Sequence, residues 1–344
     1  MSKVVYLLGA GASYGKRKDS DNLTYDDVSL IEEGLPIVNE INDEIEYIIG
    51  VIDSVELNDG DYKLMGKKCE ADDLKKELIN GFEWLLNESS RHATIDTFAK
   101  KLYLKNDIDN YGRLKFLLSS FFILEQKMHP YDKRYDTFLA NILNKDLALP
   151  NDIFLMTWNY DVQLDMAYRE YNEVGLPMVA PPETRRIDIN SRVFKINGSA
   201  NYYGPNHQDT LVFSRTNLSV LINLILVQLS FATKEGFYNS GTTDLLFAWE
   251  KNKFDEISKL LYDKISDAEV LVIIGYTFPF FNREIDREVF SHMPNLERIY
   301  VQDPNAEKVK ISLKSILPTE KNSSLLHDED LIYDTSNFFL PPEL

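Results

Sequence analysis

The run Val4-Val5-Tyr6-Leu7-Leu8 leads straight into Gly9-Ala10-Gly11-Ala12-Ser13, and this junction decides how the chain is read. Five consecutive apolar residues ended by a glycine turn predict a strand buried on both faces. The glycines let the backbone turn tightly and come close to a ligand. A helix after the turn would aim free N–H groups at a pyrophosphate. The usual dinucleotide pattern wants a third glycine at position 14, which is Tyr14, with Gly15 one residue late. The ordinary dehydrogenase fingerprint is therefore broken. For this motif alone, a purely structural strand–turn reading stays open.

Four further short runs share the character of the first: Ile153–Thr157, Val193–Ile196, Val270–Ile274 and Arg298–Val301. They are rich in Val, Ile, Leu, Phe and Tyr and bounded by turn residues. Helical spacing follows most of them, as in Asp161–Tyr171 and Arg283–His292. Strands alternating with helices predict an α/β fold of Rossmann-like type, with a mostly parallel sheet and large helical insertions. The stretches Ile37–Asp53, Asp72–Asn87, Asp96–Leu104, Gly112–Met128 and Asp136–Leu143 read as helices, as do Asn217–Phe231 and Thr243–Ile265. The expected organisation is an α/β domain over 1–36 and 150–322, a helical insertion over 37–149, a smaller one over 210–265, and a surface tail over 323–344.

The chain has 344 residues, 44% of them hydrophobic and 27% charged, enough to bury a sizeable core. Its 37 basic against 55 acidic residues leave a net charge of −18. That field repels phosphate backbones and argues against nucleic-acid binding. It does not exclude a nucleotide held by backbone N–H groups. The single cysteine, Cys69, makes neither an internal disulfide nor a four-Cys zinc site. A cytoplasmic setting is expected, because five apolar residues before Gly9 fall short of the ~7–15 of an export signal. The most apolar stretch, Leu218–Ala232, is interrupted by Asn223, Gln228 and Ser230. It reads as a buried helix too short to cross a bilayer, which takes ~20 residues.

Polar motifs end the later strands: Thr157-Trp158-Asn159-Tyr160-Asp161, Asn197-Gly198-Ser199, Gly275-Tyr276-Thr277 and Asp303-Pro304-Asn305. Any one of them has a plain explanation as a turn or cap. Together they point to one crevice at the carboxyl ends of the strands, where open α/β sheets bind ligands.

With Gly34-Leu35-Pro36 and Lys195-Ile196-Asn197-Gly198-Ser199, this order of motifs resembles sirtuin-like proteins, and among them the bacterial NADase domains of anti-phage defence systems. The resemblance covers about half of the chain. It implies NAD as substrate, with Gly9, Ala10, Gly11, Ala12 and Ser13 around the pyrophosphate and Pro36 and Thr157 lining the site. It also implies Asn159 beside the nicotinamide ribose, Asp161 in the same motif, and Gly198 and Ser199 after the family's catalytic histidine. Gly275, Tyr276 and Thr277 would meet the adenosine side, and Asp303 its ribose.

Two departures shape the expected chemistry. The four-Cys zinc ribbon of sirtuin deacylases is absent, which disfavours peptide deacylation. Asn197 stands where the family has its histidine, and an amide cannot act as a general base. Cleavage of the nicotinamide–ribose bond expels a neutral leaving group through an oxocarbenium-like transition state, so dipoles and a carboxylate can stabilise it. The expected activity is NAD+ hydrolysis to nicotinamide and ADP-ribose, with Asn159 orienting water and ribose, Asn197 bonding a ribose hydroxyl and Asp161 lending charge. The alternative is a weak or inactive NAD or ADP-ribose sensor or assembly subunit. By resemblance, such a domain is a gated abortive-infection effector and a homo-oligomer, with a separate partner such as a HerA-type ATPase or an Argonaute-type protein.

Other residues carry weaker signals. His207 reads as a loop residue with a minor chance of folding over the site, and His92 as surface or capping. Asp96 is a candidate to face the crevice. His129, His292 and His327 show no constellation, and no metal motif stands out. Trp158 reads equally as a pocket wall or as core. Tyr202-Tyr203 and Phe278-Pro279-Phe280-Phe281 are candidates to cover the site or an interface.

Overall fold

The apolar runs lie side by side in one parallel sheet of the computed structural model, which describes residues 2–18, 29–37, 40–57, 62–172, 178–179, 191–202, 217–237, 243–318 and 324–344. The sheet strands are β1 (Val4–Leu8), β2 (Ile153–Thr157), β3 (Met178–Val179), β4 (Val193–Lys195), β5 (Val270–Ile274), β6 (Arg298–Gln302) and β7 (Leu331–Ile332). Their order is β7-β6-β5-β1-β2-β4-β3, and each neighbouring pair is parallel. The chain builds outward from β1 on one side, then returns to place β5 on the other. The reversal between β1 and β5 is the topological switch point of an open α/β sheet.

Register aligns the strand ends. Leu8 pairs with Thr157 and Ile274, Thr157 with Lys195, and Ile274 with Gln302. The residues that follow therefore leave the sheet at one level. Alternation along each strand sorts the core into two layers. Val5, Leu7, Phe154, Met156, Leu271 and Ile273 pack on one face with α8 (Lys251–Ile265), α9 (Arg283–Ser291) and α10 (Ala306–Lys314). Tyr6, Leu8, Leu155, Val272 and Ile274 pack on the other with α5 (Lys133–Ile142) and α6 (Gln163–Tyr168). Burial on both faces is why these strands lack a polar alternation.

Contacts divide the chain into a sheet unit, residues 1–15, 131–199 and 246–344, and a helical unit, residues 16–130 and 200–245. The helical unit contains α1 (Ile41–Ser54), α2 (Ala71–Ser90), α3 (Ile95–Leu104), α4 (Ile108–Met128) and α7 (Leu218–Glu235). Buried residues run almost all round α4, as expected of a helix enclosed by others. The apolar Leu218–Ala232 stretch forms most of α7, which buries Leu221, Ile225 and Leu229. No helix among the described residues is long and apolar enough to cross a membrane.

Four details differ from the sequence reading. No α-helix follows β1: Ala10–Ser13 is a single 3-10 turn, and Gly15, at φ 64°, leads the chain into a short strand, Lys16–Arg17, paired antiparallel with Ile31–Glu33. The predicted strand over Val193–Ile196 stops at Lys195, because Ile196 and Asn197 turn and Gly198 takes φ 70°. The predicted helix over Thr243–Ile265 is a strand, Thr243–Leu245, followed by α8. The tail is no surface strand of chain: β7 extends the sheet, and Phe338 is buried against Tyr135 and Phe138.

Candidate functional site

At the switch point the loops after β1 and β5 touch backbone to backbone. The N–H of Gly9 donates to Ile274 O at 3.0 Å, and the N–H of Gly11 to Gly275 O at 3.0 Å. A Cβ on Gly275 would lie 2.5 Å from Gly11 Cα, and one on Gly9 would lie 2.5 Å from Gly275 O. Gly275 also holds φ 60°, a left-handed conformation that only glycine adopts freely. The glycines are thus required by the crossing of two loops. Ala12 N–H donates to Gly9 O, so three amides of the Gly9–Ser13 turn are committed inside the protein. Without a helix behind them, they form a different cradle from the one the sequence suggested.

Asn159 faces this turn directly. Its Nδ2 donates to Gly9 O at 2.8 Å and to Ser13 Oγ at 3.2 Å, while Thr157 Oγ1 accepts the Asn159 N–H at 3.0 Å. Ser13 Oγ also meets the Tyr135 hydroxyl at 3.1 Å. The outer carbonyls of the turn are taken by Arg134, whose guanidinium donates to Gly11 O at 2.9 Å while paired with Asp132. Asp132 in turn accepts the Gly15 N–H at 3.0 Å, and its own N–H donates to Gln163 Oε1 at 2.8 Å. Gly9, Gly11 and Ser13 of the β1 turn and the end of β2 are therefore held in one hydrogen-bonded node.

Asp161 lies beneath that node. It accepts the Gln163 N–H at 3.1 Å and interacts with Ser13 and Lys195. Burial raises its carboxyl above the ordinary range, against the opposing pull of Lys195. Burial likewise lowers Lys195 to about 8, although Asp161 and Asp165 oppose the shift. Lys195 Nζ donates to the Asp161 carbonyl.

Asn197 and its neighbours close the β4 end. Asn197 Nδ2 donates to Trp158 O at 3.4 Å, and Asn197 O accepts from Leu246 N–H at 2.8 Å. Ser199 Oγ donates to Tyr160 O at 3.4 Å. Trp158 and Tyr276 turn into the core, where their rings stack at 5.8 Å between centroids. Both donate to Asp286, Trp158 Nε1 at 3.2 Å and the Tyr276 hydroxyl at 3.0 and 3.1 Å. Burial pushes Asp286 up to about 8 despite those bonds. Trp158 is therefore core, and Tyr276 spends its hydroxyl inside the protein.

The remaining candidates scatter. Thr277 is exposed at the β5 loop. Asp303 Oδ1 accepts the Asn305 N–H at 2.7 Å, a turn that leads into α10. Pro36 is buried within the helical unit. His92 Nδ1 donates to Glu88 O at 2.7 Å and its ring packs on Phe98, and burial raises Asp96 to about 6, both within the helical unit. Phe278 is buried at φ 55°, while Phe280 is exposed. His207, Tyr203 and the acidic pairs at 19–21 and 26–27 lie outside the described residues.

Asp132, Arg134, Tyr135 and Asp286 were missed as site-forming residues, and Lys195, quoted within its motif, was given no role there. Of the missed four, those in Asp132-Lys133-Arg134-Tyr135, a polar cluster opening a helix, carried a local signal. His129 does have a constellation: it meets Glu44 and Glu125 in the helical unit. No family model and no curated protein matches the chain.

Proposed function

We propose that the chain binds NAD+ at the carboxyl edge of the sheet, beside the β1–β5 switch point, and hydrolyses its nicotinamide–ribose bond to nicotinamide and ADP-ribose. One observation carries the reading: Asn159 Nδ2 bridges Gly9 O and Ser13 Oγ at the place where an open α/β sheet receives a nucleotide. Two of the motifs that resemble sirtuin-like NADases are thereby neighbours in space. Asn159 is the residue to orient water and ribose. Asp161, buried beneath it, supplies negative charge towards an oxocarbenium-like centre. In this reading the domain is a gated antiviral effector that works as a homo-oligomer with a separate control protein.

A second reading, a nucleotide-binding module without turnover, draws on a specific feature of the same site. Asn159 and Asn197 already spend their amide donors within the protein, and burial raises Asp161 above an ordinary carboxylate. A base of that kind is a poor activator of water when protonated.

Incubation of the purified chain with NAD+ separates the two. Hydrolysis predicts nicotinamide release that Asn159→Ala reduces by at least about 100-fold, within the ~10²–10⁴ range of a positioned polar group. Thermal stabilisation by NAD+ or ADP-ribose without nicotinamide supports the binding module. At a ligand concentration 100 times Kd that stabilisation amounts to about 2.7 kcal/mol. The absence of both release and stabilisation overturns both readings.

A further inference from the structure

The helical unit contains a second polar centre, unrelated to the sheet edge. Glu44 stands in the first turn of α1, Glu125 in the last turn of α4, and His129 caps α4 four residues later. One ligand-type atom from each lies within 4.8 Å of the other two. All three residues are buried, with Glu125 fully so. His129 Nε2 is 3.7 Å from Glu125 Oε2 and 3.5 Å from Ser29 Oγ.

The centre is short of donors. Glu44 Oε2 and both carboxylate oxygens of Glu125 accept no hydrogen bond among the described residues. A buried carboxylate without partners is among the costliest features a core can hold. Its position makes the cost larger, since the carboxyl end of a helix is the negative end of its dipole and favours a cation. Arg17 and Lys18 bring positive charge to the region, but the Arg17 guanidinium is bound to Glu40 at 2.7 and 3.0 Å and to Leu35 O at 2.9 Å.

We propose that Glu44, Glu125 and His129 form a binding site for one divalent first-row transition-metal ion, such as Zn2+ or Mn2+. Two carboxylates and one imidazole neutralise a dication and leave a coordination position for water. The mixed oxygen and nitrogen set favours such an ion over Mg2+ or Ca2+, which take oxygen ligands. Ligands about 2.1 Å from a tetrahedral ion sit about 3.4 Å apart, so atoms already within 4.8 Å of one another have little distance to close. The imidazole suits the role as well. Its Nε2 lies 3.7 Å from Glu125 Oε2, on the side where the ligand atoms converge. Metal binding would tie the start of α1 to the end of α4.

The test uses the full chain, stripped with chelator and dialysed, then titrated with Zn2+ and separately with Mn2+. The wild type is expected to take up one equivalent. Glu125→Gln and His129→Ala should each weaken uptake by at least about 100-fold, while Glu83→Gln, an exposed acid on α2, leaves it unchanged. Should the variants fail to fold, the electron spin echo of Mn2+-loaded wild type decides: it should carry nitrogen modulation from one imidazole. No uptake by the wild type, equal uptake by the folded Glu125→Gln chain, or Mn2+ without nitrogen coupling overturns the site.

Discussion

Asp132, Asp161 and Asp286 in the sheet unit, and Glu125 in the helical unit, are all buried acids, yet their surroundings differ. Asp132 holds Arg134 and the Gly15 N–H, Asp161 takes the Gln163 N–H beside Lys195, and Asp286 takes Trp158 and Tyr276. Glu125 accepts no hydrogen bond among the described residues. Satisfied networks fix geometry without outside help, whereas an unsatisfied group calls for something from outside. The sheet unit is therefore preorganised around its polar node, and the helical unit's centre is arranged for an added cation.

The strongest way to break this contrast is to remove an internal support of the sheet unit. Phe338 packs edge-on to Tyr135 at 4.9 Å and to Phe138 at 5.6 Å, and Arg134 lies over its ring at 5.0 Å. The chain around it is held by Gln302, whose Nε2 donates to Asp334 O and Asn337 O and whose Oε1 accepts the Phe339 N–H. Phe338→Ala should cost about 3–5 kcal/mol in urea unfolding. It should also loosen Tyr135 and Arg134, and with them the Gly9–Ser13 turn. A loss under about 1 kcal/mol would mean that the sheet unit does not depend on its tail.

The second test is titration of Asp286. Its folded value of about 8 lies above the ordinary 3.8. The folded state thus holds a proton that the unfolded state has released between those limits. Its stabilising contribution is complete below pH ~4 and disappears as pH rises towards 8, with a slope of up to about 1.4 kcal/mol per unit. Asp161 in the same unit and Glu44 and Glu125 in the other are raised and tilt the curve the same way. Lys195, lowered to about 8, acts in the opposite sense, but above that pH. Asp286→Asn should flatten the pH 4–8 stability curve by its share while leaving the acid limb nearly unchanged. Parallel curves for the two chains would show that Asp286 is ionised in the fold.

What the sequence disclosed follows the range of the interactions involved. The five main strands were readable because burial on both faces leaves continuous apolar runs, and the strand-end motifs because loops at one sheet edge repeat small and amide residues. The tail was not readable: Leu331–Ile332 is two residues long, and the partners of Phe338, Tyr135 and Phe138, lie some 200 residues away. The Thr243–Leu245 strand was absorbed into a helical pattern because its three residues are too few to show a period of two. At the site, Asn159 and the Gly9–Ser13 turn were found, but the reason for the glycines was not, since Gly275 is their neighbour only in three dimensions. Glu125 and His129 stand four apart on one helix, a visible spacing. Glu44 joins them only through the packing of α1, which no local pattern announces.

The smallest effect compares glycines rather than acids. Gly275 and Gly50 are identical residues under opposite constraints. A Cβ at Gly275 meets Gly11 and Ala12 backbone at 2.5–2.6 Å, whereas at Gly50, exposed on α1, it meets nothing within 4 Å. In an open helical position the added methyl restricts the unfolded chain and raises helix propensity. Gly50→Ala should therefore stabilise the protein by about 0.5–1 kcal/mol. Because α1 also carries Glu44, a firmer α1 should leave the number of metal ions bound unchanged and tighten their binding slightly. If Gly50→Ala were destabilising, α1 would have to bend at residue 50, and the approach of Glu44 to Glu125 would depend on that bend.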